Sequence, residues 1–161
     1  MRNIIWLFVI ILFAACSNND TVADAPGDTA IVNEEDIILP PEPLPWVSDF
    51  DTVKNEFFLR QQRQVNKDSL SAEAIINDIN AVWDGIKLEY VKISGDTIYV
   101  AIPDNAVLGQ QMGSAGAAAY MASTTYNLTE LKGVNYVNFQ MPTTDHVSAG
   151  VYSRKSFENY R

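Results

Sequence analysis

Cysteine and histidine are almost missing from this chain of 161 residues, which holds one of each, Cys16 and His146. No disulfide can close within one molecule, and a zinc site built on several imidazoles is excluded. A phosphate-binding glycine loop is missing too. The nearest approach, Gly113-Ser114-Ala115-Gly116, has no lysine and fits close helix packing instead. Basic residues are lacking from Ser17 to Asp51, where nine acidic ones stand (Asp20, Asp24, Asp28, Glu34, Glu35, Asp36, Glu42, Asp49, Asp51). With that stretch and Arg2 set aside, eleven acids remain against ten bases, so the rest of the chain is nearly neutral. Hydrophobic runs are short: Ile4 to Ala15 is about a dozen residues, where a spanning helix needs roughly 20.

What is there begins with that run. Behind Met1-Arg2-Asn3 it has the build of a signal peptide, and Phe13-Ala14-Ala15-Cys16 resembles the bacterial lipobox. A thiol is the nucleophile that takes a diacylglyceryl group, and small side chains let a peptidase reach the bond before it. Residues 1–15 are therefore expected to be a lipoprotein signal peptide and Cys16 the lipidation site. Ser17 is not the aspartate that retains lipoproteins in an inner membrane, so an outer membrane is the favoured address where the host has one. Residues 16–50 are expected to form an acidic tether, stiffened toward polyproline II by Pro40, Pro41, Pro43 and Pro45. Such a tether would hold a domain on the order of 30 to 60 Å from the bilayer.

Asp followed by Ser or Thr and an aliphatic residue recurs at Asp20-Thr21-Val22, Asp28-Thr29-Ala30, Asp51-Thr52-Val53, Asp68-Ser69-Leu70 and Asp96-Thr97-Ile98. The triplet resembles the O-glycosylation sequon of Bacteroidetes envelope proteins, which makes Thr21, Thr29 and Thr52 sugar-site candidates. The alternative is that Asp-Ser and Asp-Thr pairs favour turns and caps, which suffices at Asp68 and Asp96.

Residues 51–161 are long enough for one small core. A strand is expected over Asn55 to Arg60. Ser71 is placed to cap a helix whose stripe is Ala72, Ile75, Ile76, Ile79, Val82 and Trp83, ended by Asp84-Gly85. A bulged hairpin follows, from Ile86 through Ser94-Gly95-Asp96 to Ile102. From Ala115 the spacing of Ala117, Met121, Thr124, Leu128 and Leu131 predicts a helix with one buried face, stopped at Gly133. Val137, Phe139 and Met141 then alternate as a strand. The expectation is an α+β fold in the order β-α-β-β-α-β, with both helices on one face of a small sheet. The aromatic, basic tail through Arg154, Lys155, Phe157 and Tyr160 would dock a partner, fold back on the core or stay disordered.

The hairpin from Ile86 to Ile102, the Gly113-Ser114-Ala115 entry and Asn127-Leu128-Thr129-Glu130-Leu131-Lys132-Gly133-Val134-Asn135-Tyr136-Val137-Asn138-Phe139 resemble the sporulation and spore-germination (GerMN) domain. The resemblance covers roughly Phe57 to Met141. It departs at Asn127, usually threonine in the family, and at Lys132, often proline. It implies a non-enzymatic module of bacterial envelope lipoproteins found in assemblies associated with the cell wall, with no catalytic residues to carry over.

The residues themselves agree with a protein that binds without turning over its partner. A Ser-His-Asp set would have to use His146, and its neighbour Asp145 would usually point elsewhere. Arg60 and Arg63 lack the interleaved aromatics of a nucleic-acid surface. The expected chain is thus an envelope lipoprotein, membrane-bound through its lipid, that recognises an envelope protein or peptidoglycan with no cofactor, metal or nucleic acid. A small hydrolase acting on cell-wall glycan is the rival from another class, and a self-assembling ring-type scaffold is the third reading.

Overall fold

The computed structural model describes residues 43–160. Cys16, Thr21 and Thr29, with the signal peptide and most of the tether, lie outside them. The elements run β1 (Trp46–Asp51), β2 (Glu56–Gln61), α1 (Ala72–Val82), β3 (Glu89–Ser94), β4 (Thr97–Ala101), a π-helical turn (Val107–Gln111), α2 (Gly113–Leu128), β5 (Tyr136–Gln140), β6 (Gly150–Tyr152) and a kinked 3-10 segment (Arg154–Tyr160). The fold is α+β. It has a two-stranded sheet, β1-β2, and a mixed four-stranded sheet in the order β3-β4-β5-β6.

The strand order differs from the expected one. The strand near Phe57 does not join the main sheet; it pairs antiparallel with β1, Phe50 opposite Phe57. β1 lies inside the stretch whose composition suggested a tether, and the structured part reaches back to the buried Leu44. Pro45 and two aspartates disguise this strand. β6 was also missed, because three residues are too few to show a period.

In the main sheet β4 and β5 run parallel and are joined through α2, while the outer pairs are antiparallel. The anticipated bulge falls between Tyr90 and Lys92. Ile98, Val100, Val137 and Phe139 are buried, and α1 and α2 pack against the sheet at β3 and β5. Their neighbours Thr97, Tyr99, Tyr136, Asn138 and Gln140 share the other, open face.

α2 is the central element, contacted by β1, β2, β5, α1 and the 3-10 segment. Every residue from Ala119 to Leu128 is buried, so beyond its exposed first turn the helix has no solvent-facing side, and the single buried face read from its spacing is only one of several. Ala119, Ala122, Ser123, Thr124 and Thr125 are small enough for neighbours to close in all round. The helix also ends a turn before Gly133. Thr129 caps it, its hydroxyl donating to Thr125 O at 2.8 Å, and the chain tightens through Glu130 N to Asn127 O and Leu131 N to Leu128 O. Gly133 then makes the left-handed step, φ 79°, that turns the chain into β5.

α1 begins as its sequence indicates, with Ser71 Oγ accepting from Ala74 N at 3.1 Å. Ala72, Ile75, Ile76 and Ile79 are buried. Trp83 packs edge-on against Tyr120, centroids 5.3 Å apart. Two asparagines then tie helices to strands as a strand partner would. Asn80 donates to Leu88 O (2.9 Å) and accepts from Leu88 N (2.8 Å). Asn127, fully buried, donates to Trp46 O (2.8 Å) and accepts from Trp46 N (2.9 Å), with a further bond to Ser123 O.

The tail folds back on the core. Tyr152 packs on Phe139, Phe157 stacks on Tyr152, and Tyr160 meets Phe157 edge-on. Truncating Asn127 takes a buried acceptor from the Trp46 N–H and a buried donor from its C=O. Asn127→Ala is therefore expected to lower the unfolding free energy by about 2–4 kcal/mol, measured by urea denaturation; a change below about 0.5 kcal/mol would contradict the clamp.

Candidate functional site

The C-terminal end of α2 gathers the charged and aromatic groups. Glu130 follows the cap, and its side chain is only 8% exposed. Its carboxylate is not left bare. Trp46 Nε1 donates to Oε1 at 2.8 Å, Arg154 Nη2 donates to the same oxygen, and Lys67 Nζ lies 3.2 Å from Oε2. β1, the loop before α1, α2 and the 3-10 segment thus meet on one carboxylate.

Arg154 is fixed from several directions. Its Nε donates to Thr129 Oγ1 at 2.8 Å and its Nη2 to Tyr126 O at 3.0 Å. The guanidinium lies over the rings of Trp46 (5.3 Å) and Tyr126 (5.0 Å), which meet each other edge-on. Such stacking adds about 0.5–2 kcal/mol per ring. Among the described residues Arg154 Nη1 has no acceptor.

Burial is the largest influence on Glu130 and by itself would raise its pKa. The hydrogen bonds from Arg154 and Trp46, the Arg154 charge and Lys67 outweigh it, so the carboxyl is held below its ordinary value. Beside this cluster opens a groove of about 460 Å³ lined by Lys67, Thr129, Asn135, Tyr136, Arg154 and Lys155. Its three cations, Lys67, Arg154 and Lys155, stand against the carboxylates of Glu130 beside it and of Asp96, 3.4 Å from Asn135 Nδ2. Lys155 forms no ion pair among the described residues, and Tyr136 is 42% exposed.

A second cleft, about 270 Å³, lies between α2 and the loop after β5, with Met121, Thr144, His146, Val147, Tyr152 and Phe157 in its wall. Ser114, at the start of α2, is 2.9 Å from His146 Nδ1. The histidine therefore does meet a serine. Asp145 is exposed, and among the described residues no carboxylate hydrogen-bonds the imidazole, so the third member of a triad is missing.

Of the sugar-site candidates only Thr52 is described. It is exposed in the β1–β2 turn, where Asp51 Oδ1 accepts from Val53 N (2.9 Å) and Lys54 N (3.0 Å). The backbone N–H groups of Lys54 and Val53 hold the Asp51 carboxyl below its ordinary value. That aspartate thus does the turn-forming work its pairing with threonine suggested. Among the described residues no three His, Cys, Asp or Glu side chains cluster as metal ligands, and no helix is long and apolar enough to cross a membrane. The Arg154 cluster was missed in the sequence because its members are spread from Trp46 to Arg154. Its one visible signal was a lone acid, Glu130, just past the end of a helix that carries none.

Comparison with known proteins finds no matching family model, no matching curated protein and no matching solved structure.

A carboxyl whose folded pKa is depressed stabilises the fold above its unfolded pKa and loses that contribution as pH falls through the folded value. The melting temperature should therefore fall below about pH 4.5, the ordinary value for Glu130. In Glu130→Gln the acid-dependent part of that fall should shrink, with the variant about 2–4 kcal/mol less stable at neutral pH. A pH profile identical in the two proteins would contradict the assignment.

Proposed function

We propose that this chain is a cell-envelope lipoprotein, anchored at Cys16, whose GerMN-like domain binds a protein partner or cell-wall component without catalysis. The observation that carries the reading is the open face of the four-stranded sheet. The helices cover one side, and the other carries Thr97, Tyr99, Tyr136, Asn138 and Gln140 on a framework fixed from behind by Ile98, Val100, Val137 and Phe139. Tyr90, Val91, Ile93, Tyr136 and Val151 are 40 to 57% exposed, giving the sheet apolar contact area at its surface and edge. A face built on strands rather than loops changes little on binding, which suits recognition. The lipobox-like Phe13-Ala14-Ala15-Cys16 supports the envelope address, and the acidic tether supports a domain held off its membrane.

A second reading, the small hydrolase, draws on the Ser114–His146 contact. Against it stand the lack, among the described residues, of an acid bonded to His146 and the exposure of Ser114. The readings part in one experiment on full-length protein from its native host. Cys16→Ala should move the protein from the membrane to the soluble fraction. Crosslinked capture on the intact protein should return the same partner with His146→Ala as without it. Loss of capture, or serine-reactive fluorophosphonate labelling of Ser114 that vanishes in His146→Ala, would favour the hydrolase; membrane retention of Cys16→Ala would overturn the anchor.

A further inference from the structure

Resting on the envelope reading above, we infer that the groove beside Arg154 is a binding site for the carboxylate-bearing peptide-and-sugar strands of the cell wall. Four features of the groove converge on that ligand class. Arg154 is already oriented: one nitrogen end is bound to Thr129, Tyr126 O and Glu130, and the plane is held against two rings. Among the described residues its Nη1 donors meet no acceptor. The side chain is 34% exposed, enough to meet a ligand without leaving its place. A donor fixed beforehand loses little entropy when an anion arrives.

Lys155 supplies the second charge. It lines the same groove and is exposed, with no ion pair among the described residues. Lys67, Arg154 and Lys155 outnumber by one the two carboxylates beside the groove, Glu130 and Asp96, in a domain that is otherwise nearly neutral. That excess favours an anion in the groove.

The other wall groups are polar or aromatic. Ser153 and the carboxamide oxygen of Asn135 can hydrogen-bond amides and hydroxyls, and the half-exposed ring of Tyr136 offers a flat surface to a sugar or peptide plane. Tyr136 also belongs to the open sheet face, so the groove continues that face. A few carboxylates spaced among amides and hydroxyls match this lining.

The test is co-sedimentation of the full-length lipidated protein, in detergent micelles, with purified peptidoglycan sacculi. One batch is native and the other has its carboxylates converted to amides. Native sacculi should retain the protein, and amidation should weaken retention roughly tenfold. Lys155→Glu should weaken it by a similar factor. Arg154→Lys, which keeps the charge but not the planar donor, should weaken it too. Lys54→Glu, an equal charge change in the β1–β2 turn, should leave it unaltered. Thermal melts of each variant exclude unfolding as the cause, and Lys155→Glu, on an exposed side chain, keeps the test valid if Arg154→Lys does not fold. Retention indifferent to both amidation and Lys155→Glu overturns the groove while leaving wall binding intact. No retention on either batch overturns the groove and leaves the envelope reading to its protein partner, which the capture experiment judges separately.

Discussion

A carboxylate taken out of water must be met by hydrogen bonds and opposite charge, or it will not stay ionised. In this domain the carboxylate of Glu130 is so placed, and the rest of the architecture follows from meeting it. The indole of Trp46 brings in β1, Arg154 brings in the C-terminal segment, and Lys67 brings in the loop before α1. Each would otherwise be peripheral. A two-stranded hairpin alone is marginal in water, and a 3-10 segment of seven residues has little stability of its own. Both acquire a fixed position by sharing one acceptor at the end of a buried helix.

That helix makes the convergence geometrically feasible. α2 is surrounded because its middle is built of alanine, serine and threonine, so the hairpin, α1 and the main sheet can all approach it. Asn127 adds a second tie one turn before Glu130, offering the backbone of Trp46 the donor and acceptor that a missing third strand would have supplied. The side chain and the main chain of Trp46 are thus held by neighbouring residues of the same helix. The two arrangements reinforce one another, since the asparagine fixes where the indole starts and the glutamate fixes where it ends.

The α+β class, the capped first helix, the bulged hairpin and the final alternating strand were legible because each is a local pattern of period, cap or turn. α1 announced itself through Ser71 and four buried apolar positions, and the bulge through the phase slip near Val91. What could not be read was non-local or lacked contrast. β1 hid between prolines and aspartates, and the pairing of Phe50 with Phe57 depends on a tertiary surface that no window reveals. α2 was recognised as a helix, but a helix buried on all sides carries no stripe to say how many neighbours it has. Its early end came from the Thr129 hydroxyl bonding backward, a competition that Gly133 concealed. The Arg154 cluster and the Ser114–His146 contact join residues far apart in the chain, which spacing rules do not connect.

The same cluster links stability to recognition. By holding Arg154 rigid for structural reasons, Glu130 and the two aromatic rings leave one end of a guanidinium presented to a groove, beside Lys155 and the open sheet face. The most direct measurement of this account is hydrogen exchange at the Trp46 indole N–H, followed by NMR together with the backbone amides of α2. If Glu130 is the shared anchor, the indole proton will exchange only through the slow cooperative opening that releases α2. An indole that exchanges freely while the amides from Ala119 to Leu128 stay protected would show that the hairpin is not held there, and would contradict it.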